Sequence, residues 1–159
     1  MVSDVRAAVA AVPDPEMPML TLADLGVLRS VEVSGSTAVV TLTPTYSGCP
    51  AMAEIKADVR ATVEALGLRA EIRTRLSPPW SSDWITPAGR AALAEAGVAP
   101  PGPAGTVSLG LPAVLPVHAT CPRCGSIDTR LTSAFGPTAC TTLHTCSACG
   151  EPFEKVREQ

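Results

Sequence analysis

The chain has 159 residues, 46 % of them hydrophobic, 17 % charged and 3 % aromatic, with 12 basic residues against 15 acidic ones and a formal net charge of −3. Such a composition supplies a core and excludes a disordered chain. The acidic balance gives little counterion-release drive and the few aromatic rings little base stacking, so no nucleic acid is expected as a partner.

Two long stretches lack charged side chains, Val33 to Ala53 and Ala96 to Pro122, but both are broken by Ser, Thr, Gly and Pro. Neither reads as a spanning helix, which needs roughly 20 mostly apolar residues, so no membrane is expected. The apolar run Ala7 to Val12 is too short for a secretory signal. The expectation is a cytoplasmic protein whose six cysteines are thiols or metal ligands.

In chain order, Ser3 reads as the cap of a first helix, Asp4 to about Val12, stopped by Pro13. Asp14-Pro15-Glu16-Met17-Pro18 is rich in turn residues. Thr21 to Leu25 suits one helical turn ending at Gly26. Leu28 to Val33 and Thr37 to Thr43 read as a hairpin around Ser34-Gly35-Ser36. Ala51 to Leu66 is the strongest helix, with Met52, Ile55, Val59, Val63 and Leu66 on one face and Gly67 closing it. Leu68 to Arg75 alternates as a third strand. Ser77 to Trp84 is a loop carrying both tryptophans. Thr86 caps a further helix with Pro87 at its first position and Gly97 past its end. This order predicts an α+β domain over residues 1–97, with a three- to four-stranded sheet and helices.

Val98 to Pro116 holds five prolines, three glycines and no charge. It reads as a semi-rigid linker over residues 98–116. Residues 117–159 carry five of the six cysteines. A piece that small rarely folds on its own core, so a metal is expected. Cys121-Pro122-Arg123-Cys124-Gly125 and Cys146-Ser147-Ala148-Cys149-Gly150 are two C-x₂-C turns, with 21 residues between Cys124 and Cys146. Each turn aims two sulfurs at one ion, and two turns complete a tetrahedral site suited to Zn²⁺ or a single iron. Four thiolates saturate zinc, which points to a structural Zn²⁺ in a zinc ribbon. Iron, as in rubredoxin-type carriers, is the rival. Cys140 reads as a packed thiol or an alternative ligand, and His118 and His144 as surface or packing residues.

Cys49, in Thr45-Tyr46-Ser47-Gly48-Cys49-Pro50, precedes the long helix. A helix N-terminus lowers a thiol pKa, which would favour a thiolate able to act as nucleophile, persulfide carrier or iron ligand. The bland alternative is a small residue packed at a helix start. No histidine occurs in the first hundred residues, so a Cys–His pair within that domain is excluded. Trp80 and Trp84 either cover the core or form a partner-docking patch.

Asp14-Pro15-Glu16, Asp24-Leu25-Gly26-Val27 and the Thr45 to Pro50 segment resemble the domain shared by cytosolic iron–sulfur assembly factors of the MIP-eighteen type and bacterial SufT. A second set of motifs is similar to the PaaD family, accessory subunits encoded with the phenylacetyl-CoA epoxidase. It comprises Trp80, Asp83-Trp84-Ile85-Thr86, Gly89-Arg90, Cys121-Pro122 with Cys124-Gly125-Ser126, Phe135-Gly136 with Thr138 and Cys140, and Cys146 through Phe153. The resemblance covers nearly the whole chain and departs from the family pattern at Thr141-Thr142 and His144. It implies an accessory role in metallating or maturing the epoxidase, most directly the cluster of its iron–sulfur flavoprotein reductase. Carried onto this chain, Cys49 is the candidate contact for a transient iron or Fe–S cluster, with Asp14 and Glu16 as neighbours. Cys121, Cys124, Cys146 and Cys149 hold the ribbon metal. A rubredoxin-like electron-transfer subunit and a purely structural subunit are the alternatives. The exposed hairpin edge leaves a homodimer open.

Overall fold

The computed structural model describes residues 1–104 and 119–159; His118 and residues 105–116 of the segment read as a linker lie outside them. The chain divides into two compact units, Met1–Gly89 and Arg90–Gln159.

In the first unit, α1 (Val2–Ala10) starts earlier than Ser3 capping implies, and no side chain caps it. It buries Val5 and Val9. After it, the Asp14 to Pro18 segment bulges out as a loop tied at its base, where Pro13 bridges Thr21 and the Asp14 N–H donates to the Leu20 carbonyl at 2.9 Å. The strands β1 (Leu28–Ser34) and β2 (Thr37–Leu42) form the expected antiparallel hairpin, with Gly35 at positive φ in its turn. α2 (Met52–Ala65) then returns the chain, and β3 (Arg69–Thr74) pairs parallel to β2, giving the order β1-β2-β3. A parallel pair needs such a crossover, which is why the strongest helix sits between these strands.

Alternation decides the faces. Ala38, Val40 and Leu42 of β2 are buried, as are Ile55, Val59 and Val63 of α2. Leu66, expected on that face, falls after the helix and is exposed. On β3, Ala70 and Ile72 are half-buried while Arg69, Glu71 and Arg73 face water. Each buried aliphatic chain contributes about 1.5–3 kcal/mol.

The Thr21 to Gly26 turn is a second anchor. Gly26 has φ +74°, and a Cβ there would lie 2.6 Å from Trp84 Cβ and 2.8 Å from the Trp84 carbonyl oxygen. Asp24 accepts hydrogen bonds from Thr21 Oγ1 (2.7 Å) and Thr86 Oγ1 (3.0 Å), and the Thr86 N–H donates to its carbonyl at 2.9 Å. The Thr21 hydroxyl, with Thr86, holds its carboxyl below the usual value. A short 3-10 turn (Ser82–Trp84) follows, and Thr86 caps α3 (Pro87–Glu95), accepting from the Gly89 N–H at 3.0 Å.

The second unit contains a four-stranded sheet in the order β4-β7-β6-β5. Its strands are β4 (Val98–Ala99), β5 (Thr129–Ser133), β6 (Thr141–Cys146) and β7 (Pro152–Val156). The segment read as a linker therefore begins as a strand. Val98 and Ala99 pair parallel with Glu154 and Lys155, the Gly102 N–H donates to Glu158, and Arg90 donates to the Pro101 carbonyl. Among the described residues the unit's apolar cluster is small: Ala99, Ala119, Cys121, Cys146 and Phe153.

Candidate functional site

The four ribbon cysteines converge. Their sulfurs all lie within 4.8 Å of one another, with Cys121–Cys149 at 3.8 Å and Cys124–Cys146 at 3.6 Å. A tetrahedral ion with metal–sulfur bonds of about 2.3 Å needs sulfurs about 3.8 Å apart, close to these two separations, so the donor set fits Zn²⁺.

Two matching turns build this geometry. In the first, the Gly125 N–H donates to the Cys121 carbonyl and the Cys121 N–H to the Ser126 carbonyl, both at 2.9 Å. In the second, Gly150 donates to Cys146 and Cys146 to Glu151, again at 2.9 Å. Gly125 and Gly150 both have positive φ, which a side chain at either position would strain. The spare N–H groups face sulfur. Those of Cys149 and Ala148 pull the Cys146 thiol down to about 7. At Cys124 the Ser126 N–H acts the same way, but hydrogen bonding to the sulfurs of Cys146, Cys149 and Cys121, together with burial, overrides it and pushes the group up to about 12. One sulfur of each pair is buried (Cys121, Cys146) and one exposed (Cys124, Cys149). Arg123 and Glu151, one from each turn, form an exposed ion pair.

Cys140 stands outside this cluster. It is buried, with its sulfur 3.1 Å from Thr138 Oγ1, which fits a packed thiol. His144 is also outside the cluster. It is buried, stacks on Phe153 at a centroid distance of 5.6 Å, and places Nε2 3.0 Å from Thr142 Oγ1.

In the first unit, Cys49 lies in a turn three residues before α2, its carbonyl accepting from the Met52 N–H at 3.2 Å. It is half-buried. The expected depression of its pKa does not occur. Burial is the largest influence and raises the thiol above its ordinary value, with Glu16 and Asp14 adding to the rise. The Ala51 N–H and the Tyr46 side chain bond to the sulfur and oppose the shift without cancelling it. The dipole argument fails because desolvation and two carboxylates oppose the thiolate. Asp14 and Glu16 thus lie near enough for their charge to act on Cys49, a relation that the sequence left open. Asp14 is buried, and its Oδ1 accepts from the N–H groups of Glu16 and Met17, both at 2.8 Å. Burial, then Asp14, raises the Glu16 carboxyl. Ala51 and Tyr46 escaped sequence reasoning; their position in the same turn as Cys49 was the available signal.

The two tryptophans part company. Trp80 is buried and its Nε1–H donates to the Leu25 carbonyl at 2.8 Å, which removes it from any docking patch. The reason is its partner: the open Leu25 carbonyl accepts the indole N–H and the ring fills the space beside it. Trp84 is half-buried, with the Arg29 guanidinium 3.9 Å above its ring.

Known proteins are similar to both parts of the chain. Residues 3–73 match the model of the iron–sulfur cluster assembly protein family, and residues 115–157 match the PaaD zinc beta ribbon domain. A protein of Escherichia coli (strain K12), named for its place as a subunit of 1,2-phenylacetyl-CoA epoxidase, is 42 % identical over 154 residues, covering 96 % of this chain and 90 % of that one. The chain belongs to the PaaD family. The crystal structure of a DUF59 domain, of unknown function, from Bacillus anthracis matches with a TM-score of 0.54 and 28 % identity, over 58 % of this chain and 90 % of that one. The α+β reading of the PaaD N-terminal domain and the zinc-ribbon reading of its C-terminal module both stand, with three strands in the first sheet. Among the described residues no helix is long and apolar enough to cross a membrane.

Proposed function

We propose that this chain is an accessory subunit of a phenylacetyl-CoA epoxidase that assists iron–sulfur cluster or metal assembly in its partners, chiefly the flavoprotein reductase, and is not itself the catalyst. The observation that supports the reading is the electrostatic influence of Glu16 and Asp14 on Cys49, in a domain of the iron–sulfur assembly family. Iron or a cluster is then cargo. Cys49 supplies one thiolate contact, and its elevated pKa keeps it protonated until a cation replaces the proton. Asp14, locked by two backbone N–H groups, holds the loop so that its carboxylate and Glu16 present negative charge to the arriving cation. In the ribbon, Cys121, Cys124, Cys146 and Cys149 would hold Zn²⁺, which ties the two turns together and leaves no open coordination position.

Cys49→Ser tests the thiolate role. The variant should fold normally and keep one zinc per chain, while the reductase produced beside it loses cluster content. Full cluster loading with the variant would overturn the mechanism. The electron-carrier alternative rests on the sulfur distances, which suit iron as well as zinc. Metal analysis with a visible spectrum separates them: zinc without colour supports the assembly reading, whereas bound iron with charge-transfer bands that bleach on reduction would replace it.

A further inference from the structure

The sheet of the first unit has two unlike faces. On one, Ala38, Val40 and Leu42 of β2 are buried. On the other, the alternate residues Thr37, Val39 and Thr41 are only half-buried. They are flanked by exposed Glu32 of β1 and by exposed Arg69, Glu71 and Arg73 of β3, and Arg75 continues that row one step past the strand.

Arg29 joins them through an irregularity. Leu28 pairs with Leu42 but Ser30 with Thr41, so Arg29 is the extra residue of a bulge in β1. A bulge re-aims a side chain. Here it brings Arg29 to the rim of one open depression of about 410 Å³, which Thr41, Arg73, Arg75 and Glu32 also line.

The guanidinium groups around it are held in place but little used. That of Arg29 lies 3.9 Å over the Trp84 ring, and Arg75 Nε donates to the Ser77 carbonyl at 2.6 Å. Arg73 pairs with Glu71 at 2.7 Å in the open. Among the described residues neither Arg29 nor Arg75 has an acidic partner. Side chains tied at one edge or face lose less freedom on binding, and their terminal N–H groups present a fork suited to carboxylates.

Charge selects the occupant. Arg29, Arg69, Arg73 and Arg75 stand against only Glu32 and Glu71 on this face, in a chain with 12 basic and 15 acidic residues. A positive region on a negative molecule attracts acidic partners. The two glutamates set among the arginines oppose a uniformly charged polyanion such as nucleic acid. A protein surface presents its carboxylates singly and can set each against one guanidinium. Thr37, Val39 and Thr41 give the centre short side chains inside a charged rim, the anatomy of a protein interface.

We propose that this open face of β1, β2 and β3 docks an acidic segment of a partner protein, whose carboxylates pair with Arg29 and Arg75. The surface is independent of the Cys49 reading, and either can fail without the other.

The probe is a synthetic hexaglutamate peptide, titrated into the zinc-loaded full chain at low salt and followed by amide and arginine side-chain NMR, beside a single-stranded oligothymidylate of equal charge. Saturable shifts should centre on Arg29, Thr41, Arg73 and Arg75, with weaker binding of the oligonucleotide. Arg29→Gln and Arg75→Gln should each weaken peptide binding about threefold and together about tenfold, as for solvent-exposed ion pairs. Arg6→Gln, at an exposed position on α1, should leave it unchanged. Should loss of the stack on Trp84 unfold the Arg29 variant, Arg75→Gln alone carries the test. Absence of saturable shifts, undiminished binding by the folded variants, or equal or tighter binding of the oligonucleotide at the same residues would overturn the proposal.

Discussion

Residues 1–89 bury leucine, valine and isoleucine from two helices, the sheet and the loops, including Val9, Leu20, Leu22, Leu42, Val59 and Val63, all fully inaccessible. Residues 90–159 have, among those described, an apolar cluster of five in which two members are metal-site cysteines. The first unit is an ordinary folded domain, stabilised by area removed from water. Among its described residues the second has less such area, and four sulfurs brought within 4.8 Å of one another complement it. Within one chain, one unit is held by its apolar core and the other is built around a four-sulfur site.

Removing the metal should break this comparison most visibly. Chelation, or Cys121→Ser, should abolish zinc binding and unfold the ribbon, since metal binding there is folding free energy of about 10 kcal/mol. Circular dichroism should retain the helical signal of α1 and α2. An unchanged melting curve with unchanged metal content would show that the ribbon stands on its core after all. The converse experiment is Leu22→Ala, at a fully buried position. It should cost the first unit about 2–5 kcal/mol in denaturant unfolding while zinc stoichiometry stays at one. Loss of zinc in that variant would mean that the two units are not energetically distinct.

The smallest effect sharpens the contrast between the thiols. Cys49 is raised by burial and by nearby carboxylates, whereas Cys146 is lowered by backbone N–H groups. A thiol with a raised pKa is mostly protonated at pH 7, and its thiolate fraction climbs only as pH passes above the ordinary thiol value. Alkylation of Cys49 in the zinc-loaded protein should therefore accelerate steadily above about pH 9. Glu16→Gln removes one raising influence and should speed the reaction at about pH 8 roughly twofold. A slower or unchanged rate would show that Glu16 does not act on the sulfur.

The ribbon ligands were legible from the chain because their geometry is local. A C-x₂-C turn followed by glycine fixes two sulfurs whatever surrounds it, and the spacing does the rest. The helices and the hairpin were legible for the same reason, through periodicity and through turn residues such as Gly35 and Gly67. Trp80 was not, since its burial depends on the Leu25 carbonyl, 55 residues away. Nor was the strand at Val98–Ala99, set among prolines and glycines and paired with β7.

Sequence alone thus determined the α+β class, the four-sulfur site and the family resemblance, all carried by short-range patterns. Tertiary structure alone decided the protonation of Cys49. A helix-end argument sees only the dipole of the next few peptide groups, while burial and the carboxylates of Asp14 and Glu16 come from a loop more than thirty residues earlier in the chain. The same holds for the pairing of Val98 and Ala99 with β7, which exists only once the second sheet is assembled. Desolvation and strand register belong to the folded chain, and no local pattern encodes them.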